Sequence, residues 1–92
     1  MSLLSGKKIL VTGSSRGIGA GIVKSLAEEG AQVAVTYSSS EGAAKKVIDA
    51  LPGSGHMLVK LQVADEASVQ DAFKQVLDHF GQLDGLVNNA GI

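Results

Sequence analysis

Apolar positions along the chain fall into two alternating kinds of segment. Short runs rich in Val, Ile and Leu occupy residues 8–12, 31–36, 56–61 and 83–87. Their length and composition fit strands of a parallel sheet, buried on both faces. Between them the apolar residues recur at helical spacing. Ile18, Ile22 and Leu26 are four apart, with Val23 and Ala27 beside them, so residues 17–29 predict a helix with one apolar stripe. Gly30 is its expected left-handed stop. Ala43, Ala44, Val47, Ile48 and Leu51 make the buried side of a helix over 41–51, opened by a capping box of the form Ser38-x-x-Glu41 and ended by Pro52-Gly53. Val69, Ala72, Phe73, Val76, Leu77 and Phe80 follow i, i+3, i+4, i+7 without a break across 66–80, with Asp65 as N-cap and Gly81 as stop.

The chemistry concentrates where the first strand meets the first helix. The stretch Thr12-Gly13-Ser14-Ser15-Arg16-Gly17-Ile18-Gly19 carries three glycines at fixed spacing. The first amides of a helix lack intrahelical acceptors, and the peptide dipoles add partial positive charge there. A phosphate fits against such an end when no side chain holds it off. Gly13 would allow the sharp turn, Gly17 the close approach of a pyrophosphate, and Gly19 close packing of helix on strand. The pattern is G-x-x-x-G-x-G, not the commoner G-x-G-x-x-G. Without a G-K-[ST] ending it is no triphosphate P-loop.

TGSSRGIG resembles the cofactor loop of the short-chain dehydrogenase/reductase family, and Leu86-Val87-Asn88-Asn89-Ala90-Gly91 resembles that family's N-N-A-G segment. Together with LVNNAGI, the likeness is to members of the 3-oxoacyl-acyl-carrier-protein reductase type. The resemblance implies an NAD(P)-dependent oxidoreductase in which Gly13, Ser14, Ser15, Arg16, Gly17, Ile18 and Gly19 line the dinucleotide, and Asn89, Ala90 and Gly91 abut its adenosine half. After the second strand, NAD-binding folds usually hold an Asp or Glu for the ribose hydroxyls. Here Tyr37-Ser38-Ser39-Ser40 stands there, with no carboxylate before Glu41. Hydroxyls can donate to the extra phosphate of NADP, and in the family a basic residue at the position of Arg16 accompanies NADP preference. NADP(H) is therefore expected over NAD(H), with Tyr37 and Ser38 beside the phosphate. Gln62 and Val63, at the end of the third strand, are expected to line the adenine pocket, where relatives often carry Asp-Val or Asn-Val.

Strand–helix alternation requires crossover connections and a parallel sheet. Right-handed crossovers give a Rossmann-type α/β sheet of order 3-2-1-4, with two helices on one face and the third on the other. Such a sheet is three-layered but incomplete. Its fourth strand is an open edge and half of one face lacks helices, which invites pairing with another copy into a homo-oligomer. The family's catalytic serine and Tyr-x-x-x-Lys have no counterpart here: Tyr37 is the only tyrosine, and Glu41 stands four residues on. Residues 1–92 thus read as the dinucleotide-binding half of such an enzyme, a truncation or partial product expected to be inactive alone. The alternative is a non-catalytic dinucleotide-binding or self-associating module. A methyltransferase of related fold is disfavoured by the serine run.

Composition trims the remaining classes. At 92 residues the chain makes one small domain, and with 3% aromatics its core must be aliphatic. Net charge is −1 and no basic cluster exceeds a lysine pair, so nucleic acid has no electrostatic footprint. The absence of cysteine removes disulfides and thiolate metal sites. No apolar run approaches the roughly 20 residues of a membrane span, and the reading is cytoplasmic. His56 and His79 lack partners at ligand spacing, so no metal is expected, and both are expected to face solvent.

Overall fold

The computed structural model describes residues 4–15 and 17–89. The order is β1 (Lys8–Val11), α1 (Gly17–Glu28), β2 (Gln32–Tyr37), α2 (Glu41–Asp49), β3 (Met57–Lys60), α3 (Glu66–Phe80) and β4 (Gly85–Val87). All strand pairs are parallel and the sheet order is β3-β2-β1-β4. Val11 sits beside both Val35 and Val87, so β1 lies between its neighbours and ends at the point where the chain reverses its direction of winding.

Residues of alternate parity separate the two faces. Ile9, Val11, Val33 and Val35 pack with Val23 of α1 and Ala44 of α2. Leu10, Ala34 and Val59 pack with Ala72 and Val76 of α3. That is the expected layering. The stripe of α1 differs from the expected one. Gly19, Val23 and Ala27 face the sheet, whereas Ile18 is 72% exposed and Ile22 and Leu26 only flank the contact. The helix lies so close at Gly19 that its smallest residue, not its largest, makes the approach. On α3, Leu77 likewise turns outward.

Three local expectations change. The capping box at Ser38 does not form, because α2 begins at Glu41 with Ser40 as N-cap. Glu41 is then the first helical residue, not the third, and cannot reach back. The end of α2 comes at Asp49, two residues early, where Ala50 and Leu51 bond back three residues to Val47 and Ile48 and tighten the last turn. His56 is half-buried and does more than face solvent. Its Nδ1 accepts the Val33 N–H at 3.1 Å, and its Nε2 lies 2.7 Å from the Pro52 carbonyl. The ladder between β2 and β3 starts only at Ala34 and Met57, so the imidazole serves the amide before it. That bond fixes the tautomer: Nε2 carries the proton and donates to Pro52. Asp65 caps α3 as expected, accepting from the Ala67 and Ser68 amides, and Gly30 and Gly81 take positive φ at the helix ends.

At the opposite end of the sheet, Asp84 ties β4 to β1. Its backbone N–H donates to the Lys8 carbonyl at 2.7 Å, and its Oδ2 accepts the Lys8 N–H at 2.8 Å. The Lys8 amide, then Gln82, hold the Asp84 carboxyl below its ordinary value. A depressed carboxyl adds stability above its unfolded pKa and loses it as pH falls through the folded one. Asp84→Asn is therefore expected to lower the urea midpoint at neutral pH. The gap to the wild type should close as pH drops through and below about 3.9. A gap that persists in acid would disprove the charge as its source.

Candidate functional site

The carboxyl end of β1 opens into a turn that is held from both sides. Gly13 and Gly17 have φ of 63° and 61°, a region that L side chains rarely adopt. A Cβ added at Gly17 would meet nothing within 4 Å among the described residues, so the turn leaves space in front of it. Behind it, α1 begins with no acidic residue in its first turn, leaving the positive helix end uncompensated.

On one flank the turn is pinned to β2. Past Val11 and Val35 the ladder between β1 and β2 stops, and the Ser14 side chain takes over. Its fully buried Oγ donates to the Val11 carbonyl at 2.7 Å and accepts the Thr36 N–H at 2.7 Å. Thr36 Oγ1 donates to the same carbonyl at 2.9 Å. Ser14 is thus turned into the protein, and what it contributes is the position of the turn relative to β2. Ser14→Ala leaves the Thr36 N–H buried without this acceptor, a loss of about 1–3 kcal/mol. Faster hydrogen exchange at the Thr36 amide would report it, and unchanged exchange would rule the pin out.

The other flank joins the turn to the segment after β4. The Thr12 N–H donates to the Val87 carbonyl at 3.0 Å, and Thr12 Oγ1 accepts the Asn89 N–H at 2.8 Å. Asn89 Nδ2 donates to the Gly13 carbonyl at 3.2 Å. Gly19 closes this cluster: a Cβ there would sit 2.2 Å from the Gly13 oxygen and 2.7 Å from Asn89 Nδ2. The close packing expected of Gly19 is present, and Asn89 is part of it.

Between the turn and the ends of β2 and β3 lies a crevice of about 130 Å³. It brings together Gly13, Ser15, Tyr37, Ser38 and Val63 of the expected site. Thr36 and Leu61 also line it and were not expected. Thr36 had a signal, a hydroxyl closing an apolar strand that is buried on both sides. Leu61 had none beyond its place at a strand end. Among the described residues no carboxylate lines the crevice. Val63 is 54% exposed, and Gln62 is exposed with its backbone N–H bonded to Ser68 Oγ. Ile18 points to solvent beside the turn, outside the crevice lining. Arg16, Ala90 and Gly91 lie outside the described residues. Among the described residues no group of His, Asp or Glu could hold a metal ion, and no helix is long and apolar enough to cross a membrane.

A parallel sheet wound in both directions from β1, with a glycine turn over the switch point, defines a Rossmann-type α/β protein. The chain belongs to the short chain dehydrogenase family, whose model matches residues 7–92. A short-chain dehydrogenase/reductase from Serratia marcescens superposes with a TM-score of 0.91 at 50% identity, covering 97% of this chain and 37% of that one. A Burkholderia cenocepacia short chain dehydrogenase in complex with NADP gives a TM-score of 0.84 at 48% identity, with the same coverage of 97% and 37%. The 3-oxoacyl-[acyl-carrier-protein] reductase FabG of Staphylococcus aureus is 47% identical over 88 residues, 94% of this chain and 36% of that protein. The chain therefore spans little more than a third of the length of these relatives.

Proposed function

We propose that residues 1–92 are the dinucleotide-binding portion of a short-chain oxidoreductase that prefers NADP(H) and reduces a carbonyl of the 3-oxoacyl class. One observation carries this reading. An uncompensated helix N-terminus opens behind two left-handed glycines onto a crevice lined by hydroxyls and no carboxylate. The diphosphate would lie against Gly13, Gly17 and the first amides of α1, where Gly17 leaves room for it. Ser14 and Gly19 hold that turn in place, and Ile18 and Asn89 flank it. The crevice is smaller than the roughly 300–1,000 Å³ of a whole ligand site, which suits one end of a long ligand. Ser15, Arg16, Tyr37 and Ser38 would take the adenosine phosphate, Gln62 and Val63 the adenine, and Ala90 and Gly91 the neighbouring ribose. When bound, the nicotinamide would supply the hydride. The complex of the Burkholderia relative with NADP and the name of the Staphylococcus reductase support the cofactor and the substrate class.

Calorimetric titration of the purified protein tests the reading. Saturable NADPH binding, tighter than NADH, is the expected result, and indifference to both would sink it. Tyr37, the only tyrosine, lines the adenosine end, so the 92-residue chain is expected to bind without reducing ketones. Robust turnover would show that a proton donor has been overlooked.

A second reading has its own observation. Among the described residues β4 pairs with β1 alone, and its Leu86 is 52% exposed. A self-associating module, joined through that edge as a homo-oligomer, would cover it. Light scattering distinguishes the two: a monomer at high concentration excludes self-association.

A further inference from the structure

A larger cavity, of about 360 Å³, lies away from the crevice, between α1 and α2. Ala20 and Gly21 form one wall, and Val47, Ala50 and Leu51 the other. The small residues on α1 leave space that a leucine or phenylalanine would have filled. Lys24 and Lys46 complete the lining, one from each helix. Both side chains are exposed, so their stems extend the apolar wall while their ammonium groups stay in water at its margin. Neither lysine has a hydrogen-bond or ion-pair partner among the described residues, and no carboxylate lines the cavity. An apolar floor with two unpaired cations and no anion at its border complements one kind of ligand.

The geometry points to a second binding site here, for a small amphiphilic anion: a compact hydrocarbon body in the groove and a carboxylate between Lys24 and Lys46. The volume falls at the lower end of small-molecule sites, roughly 300–1,000 Å³. The walls span little more than one turn of each helix, which limits the body to a short chain or single ring. The inference does not depend on the dinucleotide reading, since the groove shares no lining residue with the crevice.

Octanoate, octanol and octylammonium, which share a hydrocarbon chain of similar length and carry an anionic, a neutral and a cationic head group, are the probes. Titrated into the nitrogen-15-labelled protein, octanoate is expected to shift the amides of Ala20, Gly21, Val47 and Leu51 saturably. Octanol and octylammonium should bind more weakly. The double variant Lys24→Gln, Lys46→Gln should weaken octanoate by about fivefold, the scale of two exposed charge contacts. Gly21→Leu should fill the groove and weaken it at least about tenfold, since a Cβ at Gly21 meets nothing within 4 Å. Leucine also favours the helix there, so this variant keeps its fold. Equal binding of the three probes, undiminished binding to Gly21→Leu, or no saturable shift would each overturn the proposal. So would shifts of the same amides with protein concentration alone, which would assign the groove to a second copy.

Discussion

Replacing Gly19 by alanine is expected to abolish measurable NADPH binding and to lower the unfolding midpoint sharply. The added methyl would lie 2.2 Å from the Gly13 carbonyl oxygen and 2.9 Å from its carbon. Both are backbone atoms of the turn, so no side-chain rotation relieves the clash. Either α1 moves off the sheet or the turn is pushed outward. The first breaks the contact line of Gly19, Val23 and Ala27, and the second displaces Asn89, whose Nδ2 holds the Gly13 carbonyl. Overpacking of this kind costs about 1–3 kcal/mol and sometimes more. Domains are stable by only about 0.05–0.15 kcal/mol per residue, so the loss is a large fraction of the total. Gly21→Ala supplies the contrast. Two residues further along the same helix its Cβ meets nothing, and alanine gains about 1 kcal/mol of helix propensity over glycine. One substitution should destabilise and the other stabilise. Equal effects in denaturant titrations would show that α1 does not seat on Gly13.

The same glycine shows how far the sequence could be read. Strand–helix alternation and the three spaced glycines gave the sheet order, the helix layering and the place of the turn, because each follows from periodicity or from a helix end. Periodicity weights large residues, however, and so set Ile18, Ile22 and Leu26 as the stripe of α1 while the sheet contact runs through Gly19, Val23 and Ala27. Where backbones approach closest, the informative residue is the smallest. Three side-chain roles that periodicity did not show have one cause in common. At Ser14, Thr36 and His56 a side chain serves a backbone group near the limit of a strand ladder. Such a substitution depends on which residues lie side by side in space, more than twenty positions apart: the hydroxyl that closes β2 is visible locally, but the group it serves is not. Ser38-x-x-Glu41 failed in the opposite sense: a valid local pattern was set aside when α2 began two residues later than the box requires.

Ser38→Asp is expected to reverse the cofactor preference of the proposed site. Ser38 is exposed at the border of a crevice lined by Ser15, Thr36 and Tyr37, and no carboxylate is among its described lining residues. A carboxylate there would accept from ribose hydroxyls and repel a phosphate carried on the same ribose. Two like charges about 4–6 Å apart near a protein surface oppose each other by a few kcal/mol before salt screening. After screening, a loss of about 1–2 kcal/mol, or 5- to 30-fold in NADPH affinity, is a reasonable scale, with NADH unchanged or improved. Arg16→Ala should act in the same direction by removing a cation from the phosphate, so the two variants combined should bind NADH in preference. The readout is the ratio of the two dissociation constants, which cancels any general loosening of the fold. Because the phosphate term is electrostatic, the wild-type ratio should also shrink as salt rises, and the Ser38→Asp ratio should move back toward the wild type. If both variants leave the ratio where it was, the phosphate does not lie between the turn and β2, and the hydroxyls of the crevice serve the protein's own loop.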